Sequence, residues 1–296
     1  MTENSFDFLR RNHRSTKPRH AGVTEIRGPY YSLAGPSYLE DLFGGFGEYV
    51  DILKFAGGSF TLMPDTALRQ LIQVCHDHEV KVSTGGFLEY VLTQGEDAVQ
   101  RYLQTCNEVG FDIVEISSGF ITLPIDDIVS LTGAVQQAGL LAKPEIGIQF
   151  GAGGASAVEE LEAEGLGDVA RAAEIAQRCL QAGAYMIMVE SEGITENVRR
   201  WRMDIVDDLV SRIGTDRVMF EAADPGVFAW YVQRYGPEVN LFVDHSQIVQ
   251  LECLRSGIWG TAGLFGRVLT YRPDANGHPT QEATADARRP VEQTVR

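Results

Sequence analysis

Asn107–Ile116 (NEVGFDIVEI), Gln136–Ile146 (QQAGLLAKPEI) and Gln181–Glu190 (QAGAYMIMVE) follow one pattern. Each leaves a helix-patterned stretch, passes through a glycine and enters a short apolar run rich in β-branched residues. Gly110, Gly139 and Gly183 stand where a helix end needs left-handed backbone, which glycine adopts without steric cost. The runs that follow are too short for core helices and suit buried strands. The likeness is one of loop geometry and not of duplicated sequence.

Working outward, eight such runs are found: Val23–Gly28, Val50–Ala56, Val80–Gly86, Phe111–Gly119, Leu140–Ile148, Ala184–Gly193, Val218–Ala223 and Val239–His245. Helical patterns lie near 37–48, 64–78, 95–109, 125–138, 166–182, 203–213, 225–235 and 246–256. Pro64 and Pro124 sit at helix starts, where a missing N–H costs little. Strands alternating with helices imply parallel pairing through right-handed crossovers. Eight units predict a single-domain α/β fold, the (β/α)8 TIM barrel. The rival, an open doubly wound sheet, should show a glycine-rich turn after its first strand. Here that position reads Arg27-Gly28-Pro29-Tyr30-Tyr31. The expected organisation is an N-terminal arm at 1–20, a barrel at 21–270 and a disordered tail at 271–296, where Pro, Gly, Thr and charge dominate.

The 296 residues carry a net charge of −16, which argues against nucleic-acid and anionic-membrane partners. No apolar run has membrane-spanning length and the first residues lack a secretory signal, so a cytoplasmic location is expected. Cys75, Cys106, Cys179 and Cys253 lack metal-ligand spacing and read as reduced, structural residues. His76 and His78, two apart on a helix, face different directions and do not form a metal site. Trp201, Trp230 and Trp259 fall in helical segments and read as packing residues, though Trp259-Gly260 could approach the barrel mouth.

In a barrel, chemistry comes from the carboxyl ends of the strands and the loops after them. The decisive pattern is a glutamate on each of four consecutive strands: Glu115, Glu145, Glu190 and Glu221. Neighbouring strands lie ~4.8 Å apart, so inward carboxylates converge and repel. They need protons, basic partners or a metal. Oxygen ligands suit Mg²⁺, and Glu145, Glu190 and Glu221 are its candidate ligands. The plain alternative is that these glutamates pair with internal lysines and arginines.

Lys54, Lys143 and Glu115 are the candidate catalytic groups, the lysines as anion holder or proton donor. Either lysine could instead form a structural ion pair. Arg27, Ser83, Gly85, Gly86, Ser117, Asp244 and His245 are candidate binding residues for a small anionic carboxylate or phosphate. For Asp244 an N-cap role is equally consistent. The glycine-rich segment 149–156 could close over a substrate.

The motifs VDILKFAGGS, GGFLEYVLTQG, GFDIVEISSG, PEIGIQF, AGAYMIMVE, VMFEAA and VNLFVDHSQIVQLECLRSGIWGT occur in order between Val23 and Thr261. In these the chain resembles the (2R)-phospho-3-sulfolactate synthase family, which includes plant heat-stress-associated homologues. Matching residues are Lys54, Glu89, Glu115, Ser117, Glu145, Glu190, Glu221, Asn240, Glu252 and Arg255. The resemblance implies a Mg²⁺-dependent barrel lyase, expected as a homo-oligomer. It implies addition of sulfite to the methylene carbon of phosphoenolpyruvate through an aci-carboxylate that is then protonated.

The chain departs from that pattern at three strand ends. Arg27-Gly28-Pro29 replaces Asp-Lys-Gly, Ile148-Gln149 replaces lysines, and Ser191-Glu192-Gly193-Ile194 replaces an Arg-Glu-Ser-Gly loop. The lost basic groups open two further readings. One is a related Mg²⁺-dependent enzyme using another small carboxylate or nucleophile. The other is a non-catalytic, stress-associated barrel acting through protein partners.

Overall fold

The computed structural model describes residues 5–6, 8–9, 11–12, 14–148, 157–163, 168–222, 224–260 and 267–270. Eight strands close into one parallel barrel in sequence order. They are β1 (Thr24–Arg27), β2 (Ile52–Lys54), β3 (Lys81–Ser83), β4 (Ile113–Ile116), β5 (Leu141–Ile146), β6 (Ile187–Val189), β7 (Val218–Glu221) and β8 (Asn240–Asp244). β1 pairs with β8 over Thr24–Leu241 to Arg27–Asp244, which closes the ring.

The helices are α1 (Pro36–Phe46), α2 (Asp65–Asp77), α3 (Leu88–Leu92), α4 (Glu96–Val109), α5 (Ile125–Gln137), α6 (Val158–Ala163), α7 (Val169–Gln181), α8 (Met203–Ile213), α9 (Pro225–Tyr235) and α10 (Ile248–Arg255). Two of them, α3 and α6, are short extras without counterparts in the sequence reading. Gly110 caps α4 at φ 110°, and Gly139 and Gly183 follow α5 and α7 at φ 82° and 93°. The three opening junctions therefore turn in the same left-handed way.

Alternation along each strand sorts the side chains. Outward residues such as Ile26, Leu53, Val114, Ala142, Ile187, Phe220 and Leu241 pack with the helices in one large core. Inward residues Val23, Ile52, Ile113, Met186, Met188, Met219 and Phe242 fill the lower lumen. Each such fully buried side chain contributes about 1.5–3 kcal/mol. Above this apolar plug, toward the strands' carboxyl ends, the inward positions turn charged. Thus the barrel is solid below and polar at its mouth.

Trp201 and Trp259 correct the sequence expectation. Trp230 lies in α9, but Trp201 precedes α8 and Trp259 follows α10, and they are 38% and 61% exposed. Both stand beyond the helical patterns at 203–213 and 246–256, which the observed helices match closely. All four cysteines are free thiols. No helix among the described residues is long and apolar enough to cross a membrane. Segments 149–156 and 271–296 lie outside the described residues.

Candidate active site

The charged layer is built from the bottom up by ion pairs. Glu25 on β1 reaches across the lumen to Lys143 on β5, with both carboxylate oxygens 2.5 Å from Nζ. Neither side chain has any exposed surface. Lys143 Nζ also lies 3.1 Å from Glu115 on β4. Glu115 in turn lies 2.9 Å from Lys54 on β2, which is 3.8 Å from Glu145. The chain Glu25–Lys143–Glu115–Lys54–Glu145 thus climbs from the sealed plug to the mouth. Lys54 also sits 4.2 Å above the Phe242 ring, a cation–π contact.

On the other side of the mouth, Arg27 Nη2 donates to Glu221 Oε1 at 2.8 Å. Its guanidinium stacks on Tyr31 and Phe242, at 5.0 and 5.2 Å. Glu190 follows β6 and accepts from the Glu192 backbone N–H at 2.9 Å. Five inward carboxylates, Glu25, Glu115, Glu145, Glu190 and Glu221, therefore meet three cations, Arg27, Lys54 and Lys143.

That imbalance sets the protonation states. Burial pushes the Glu115 carboxyl up, but Lys54 and Lys143 outweigh it and hold it below the usual range. Burial would lower the Lys54 ammonium, yet the surrounding glutamates, Glu115 foremost, raise it. Lys54 is thus held charged. Burial and then Glu115 raise Glu145 to about 8. Burial raises Glu190 well above its usual value, with Glu221 and Glu145 adding to the shift. Glu221 is raised by burial, against the pull of Lys54 and Arg27. The mutual repulsion of Glu145, Glu190 and Glu221 marks them as neighbours without enough counter-charge.

This is an oxygen-rich set that an added cation would stabilise. Among the described residues no three acidic, imidazole or thiol groups enclose a metal position by themselves. The expected trio Glu145, Glu190 and Glu221 is therefore not a ready-made three-carboxylate metal site.

The other expected residues divide. Ser83 pairs in register with Lys54 and is fully buried. Gly85 has φ +61°, and a Cβ there would stand 2.4 Å from the Phe55 carbonyl oxygen. A Cβ on Gly86 would meet Ser117 Cβ at 2.9 Å. These glycines let the loop after β3 lie against the site. Ser117 donates to Glu89 at 3.1 Å.

Asp244 and His245 stand at the rim and are engaged elsewhere. Asp244 caps the turn after β8, accepting from Ser246 N at 2.9 Å. His245 bonds Tyr38 Oη at 2.6 Å and Ser32 Oγ at 2.7 Å, pinning the loop between β1 and α1.

The sequence reading did not single out Glu25 or Arg171, and it gave Glu89 no role. Glu25 shares a strand face with Arg27, two residues on, and that spacing was its available signal. Glu89 accepts from the backbone N–H groups of Phe120 and Ile121, shaping the loop after β4. Arg171, in the first turn of α7, lines a cavity of about 320 Å³ with Ser117, Glu145, Ile121 and Ile146. The family-motif residues Asn240, Glu252 and Arg255 lie at the opposite end. Arg255 donates to Gly22 O, Thr24 Oγ1 and Val239 O, stitching the barrel's base.

Comparison with known proteins agrees with this architecture. The chain is 38% identical to Protein HEAT-STRESS-ASSOCIATED 32 of Arabidopsis thaliana over 258 residues, covering 84% of this chain and 90% of that protein. It is 26% identical to the phosphosulfolactate synthase of Methanothermobacter thermautotrophicus over 264 residues, covering 87% and 96%. Among solved structures, 3-hexulose-6-phosphate synthase from Salmonella typhimurium superposes with a TM-score of 0.50 at 12% identity, covering 79% of this chain and 99% of that one. That likeness is one of fold alone. Residues 12–261 match the family model described as (2R)-phospho-3-sulfolactate synthase (ComA), and the chain belongs to that family.

Proposed function

We propose that the chain is a phosphosulfolactate synthase-like carbon–sulfur lyase, adding sulfite to phosphoenolpyruvate at the barrel mouth. The observation that carries this reading is the surplus of inward carboxylates around a charged Lys54. Glu190 and Glu221 are the groups offered to Mg²⁺. When bound, the ion supplies Lewis-acid neutralisation of charge on the substrate carboxylate.

Sulfite sulfur bonds to the methylene carbon, and the double-bond electrons move into the carboxylate as an aci-anion. Lys54 holds the substrate anion, and Arg27 supplies a second cation at the rim. Lys143 has no exposed surface, so it acts by keeping Glu115, and through it Lys54, in place. Protonation of the phosphate-bearing carbon completes the product. Glu145, whose carboxyl is pushed up by burial and by Glu115, is the donor we assign within the site.

Incubation with phosphoenolpyruvate, sulfite and Mg²⁺ should yield a sulfonate by mass spectrometry. Glu145→Gln should lower the rate by about 10²–10⁴-fold. No sulfonate from the wild-type chain overturns the reading.

The loop after β6 favours a second reading. Ser191 Oγ donates to Glu196 at 2.7 Å and Asn197 Nδ2 to Glu192 at 2.6 Å, so its polar groups are engaged with each other. Two of the loop's arginines pair with carboxylates other than Glu190, Arg199 with Glu159 and Arg202 with Asp204, which weakens the grip on a phosphate. The same chemistry on a different small carboxylate would then apply. Mg²⁺-dependent thermal shifts across a panel of small carboxylates test it, and a response to phosphoenolpyruvate alone would sink it.

A further inference from the structure

The cleft of about 320 Å³ opens beside the carboxylate site, over the end of β5. The loop after β4 and α5 form one wall, and the start of α7 forms the other. Ser117 and Glu145 line both the cleft and the mouth. Lys54 lies 3.8 Å from Glu145, so the two spaces adjoin.

The walls of the cleft are apolar. Ile121, Leu123 and Ile128 come from the β4 side, Ile146 and Ile148 from the end of β5, and Ile175 from α7. Ile128, Ile146 and Ile148 are buried, whereas Ile121, Leu123 and Ile175 are half-buried. Water resting against such walls is unfavourable, and an alkyl group would displace it.

Charge does not dominate here. Asp168 and Arg171, one of each sign, stand at the start of α7. Asp168 is engaged as a cap, accepting from the Arg171 backbone N–H at 2.9 Å. Burial pushes the Glu145 carboxyl toward its neutral form. No surplus of positive charge is left to hold a free anion. Pockets for small molecules run to about 300–1,000 Å³, with mostly apolar walls and a few polar groups that set orientation. The cleft has that size and that make-up.

We propose that the cleft takes an aliphatic chain of the substrate. The substrate class is then a small α-keto or enol carboxylate with a short alkyl extension. The inference rests on the second reading above, metal-assisted chemistry on a carboxylate other than phosphoenolpyruvate. The carboxylate end stays at Lys54, and the chain leaves past Glu145 between Ile146 and Ile175. Phosphoenolpyruvate ends in a methylene and leaves the cleft unfilled. Ile121 and Ile175, on opposite walls, set how long and how wide a chain can be.

Calorimetric titration of the full chain with pyruvate, α-ketobutyrate, α-ketovalerate and α-ketocaproate, each with Mg²⁺ present, tests this. Affinity should tighten by about fourfold for each added methylene, equivalent to ~0.8 kcal/mol. Ile175→Phe and Ile121→Phe each narrow the cleft and should remove most of that gain. Both positions are half-buried, so the added volume enters the cleft, and circular dichroism checks the fold. The proposal is overturned if wild-type affinity is flat or falls with chain length, if both variants keep the gain, or if none of these acids binds. Sulfonate formation from phosphoenolpyruvate is read separately by mass spectrometry. A chain-length gain without sulfonate removes the lyase reading and leaves this inference standing. Sulfonate without a gain does the reverse.

Discussion

Glu25 and Lys143 show what a single residue pair can decide. Both side chains lie wholly out of water, and Lys143 is shared with Glu115. Breaking a buried pair by removing one charge leaves the other uncompensated, which costs about 3–5 kcal/mol. Glu25→Gln should therefore lower unfolding stability by that order in urea titrations, with Glu115 limiting the loss. Glu145 gives a test of opposite character. Its carboxyl is raised from 4.5 to about 8 in the folded chain. Between those values the folded chain holds a proton that the unfolded chain has released. Stability from this group is complete below pH 4.5 and is lost as pH rises through about 8. Glu145→Gln should flatten that decline in unfolding curves taken across the window. The four strand-end glutamates were legible because each interrupts an apolar run. Glu25 was not, since the two-residue step to Arg27 says only that they share a face. Its partner lies 118 residues on, and only ring closure brings them together.

At the scale of elements, glycine placement fixes how loops approach the site. Gly85 combines left-handed backbone with a gap of 2.4 Å between a built Cβ and the Phe55 carbonyl oxygen. Gly95 is also left-handed, at φ +94°, but a Cβ there meets nothing within 4 Å. Gly85→Ala should thus destabilise by about 1–3 kcal/mol and exceed Gly95→Ala, the difference measuring the contact. Strand and helix positions were readable because burial imposes periods of two and of 3.6 on the sequence. The ends were less readable. Trp201 and Trp259 lie just outside helices, at 38% and 61% exposure, where side-chain type alone suggested packing. The short α3 gave no separate signal because a single 3-10 turn over Gly85–Phe87 runs directly into it.

Across the whole molecule the two ends treat charge differently. Carboxylates in excess of cations occupy the mouth, whereas at the base arginines meet carboxylates pair by pair. The arm is part of that base: Arg14 meets Glu252, Arg19 meets Asp51, and Asn12 donates to Arg255 O at 2.9 Å. Deleting residues 1–20 should lower the melting temperature by several degrees, because Glu252 is left buried without Arg14. Differential scanning calorimetry checks this. That local imbalance at the mouth could not be read from the net charge of −16, which averages the whole chain.

The lumen-crossing bond between the first and fifth strands also bears on how the chain is made. As it leaves the ribosome, the first half carries an acid whose only fully dry counterpart has not yet been synthesised. Water must remain inside any half-ring until the fifth strand arrives. Drying of the interior and closure of the circle are therefore one late, cooperative event, and a stalled or truncated half has no compact resting state to fall into.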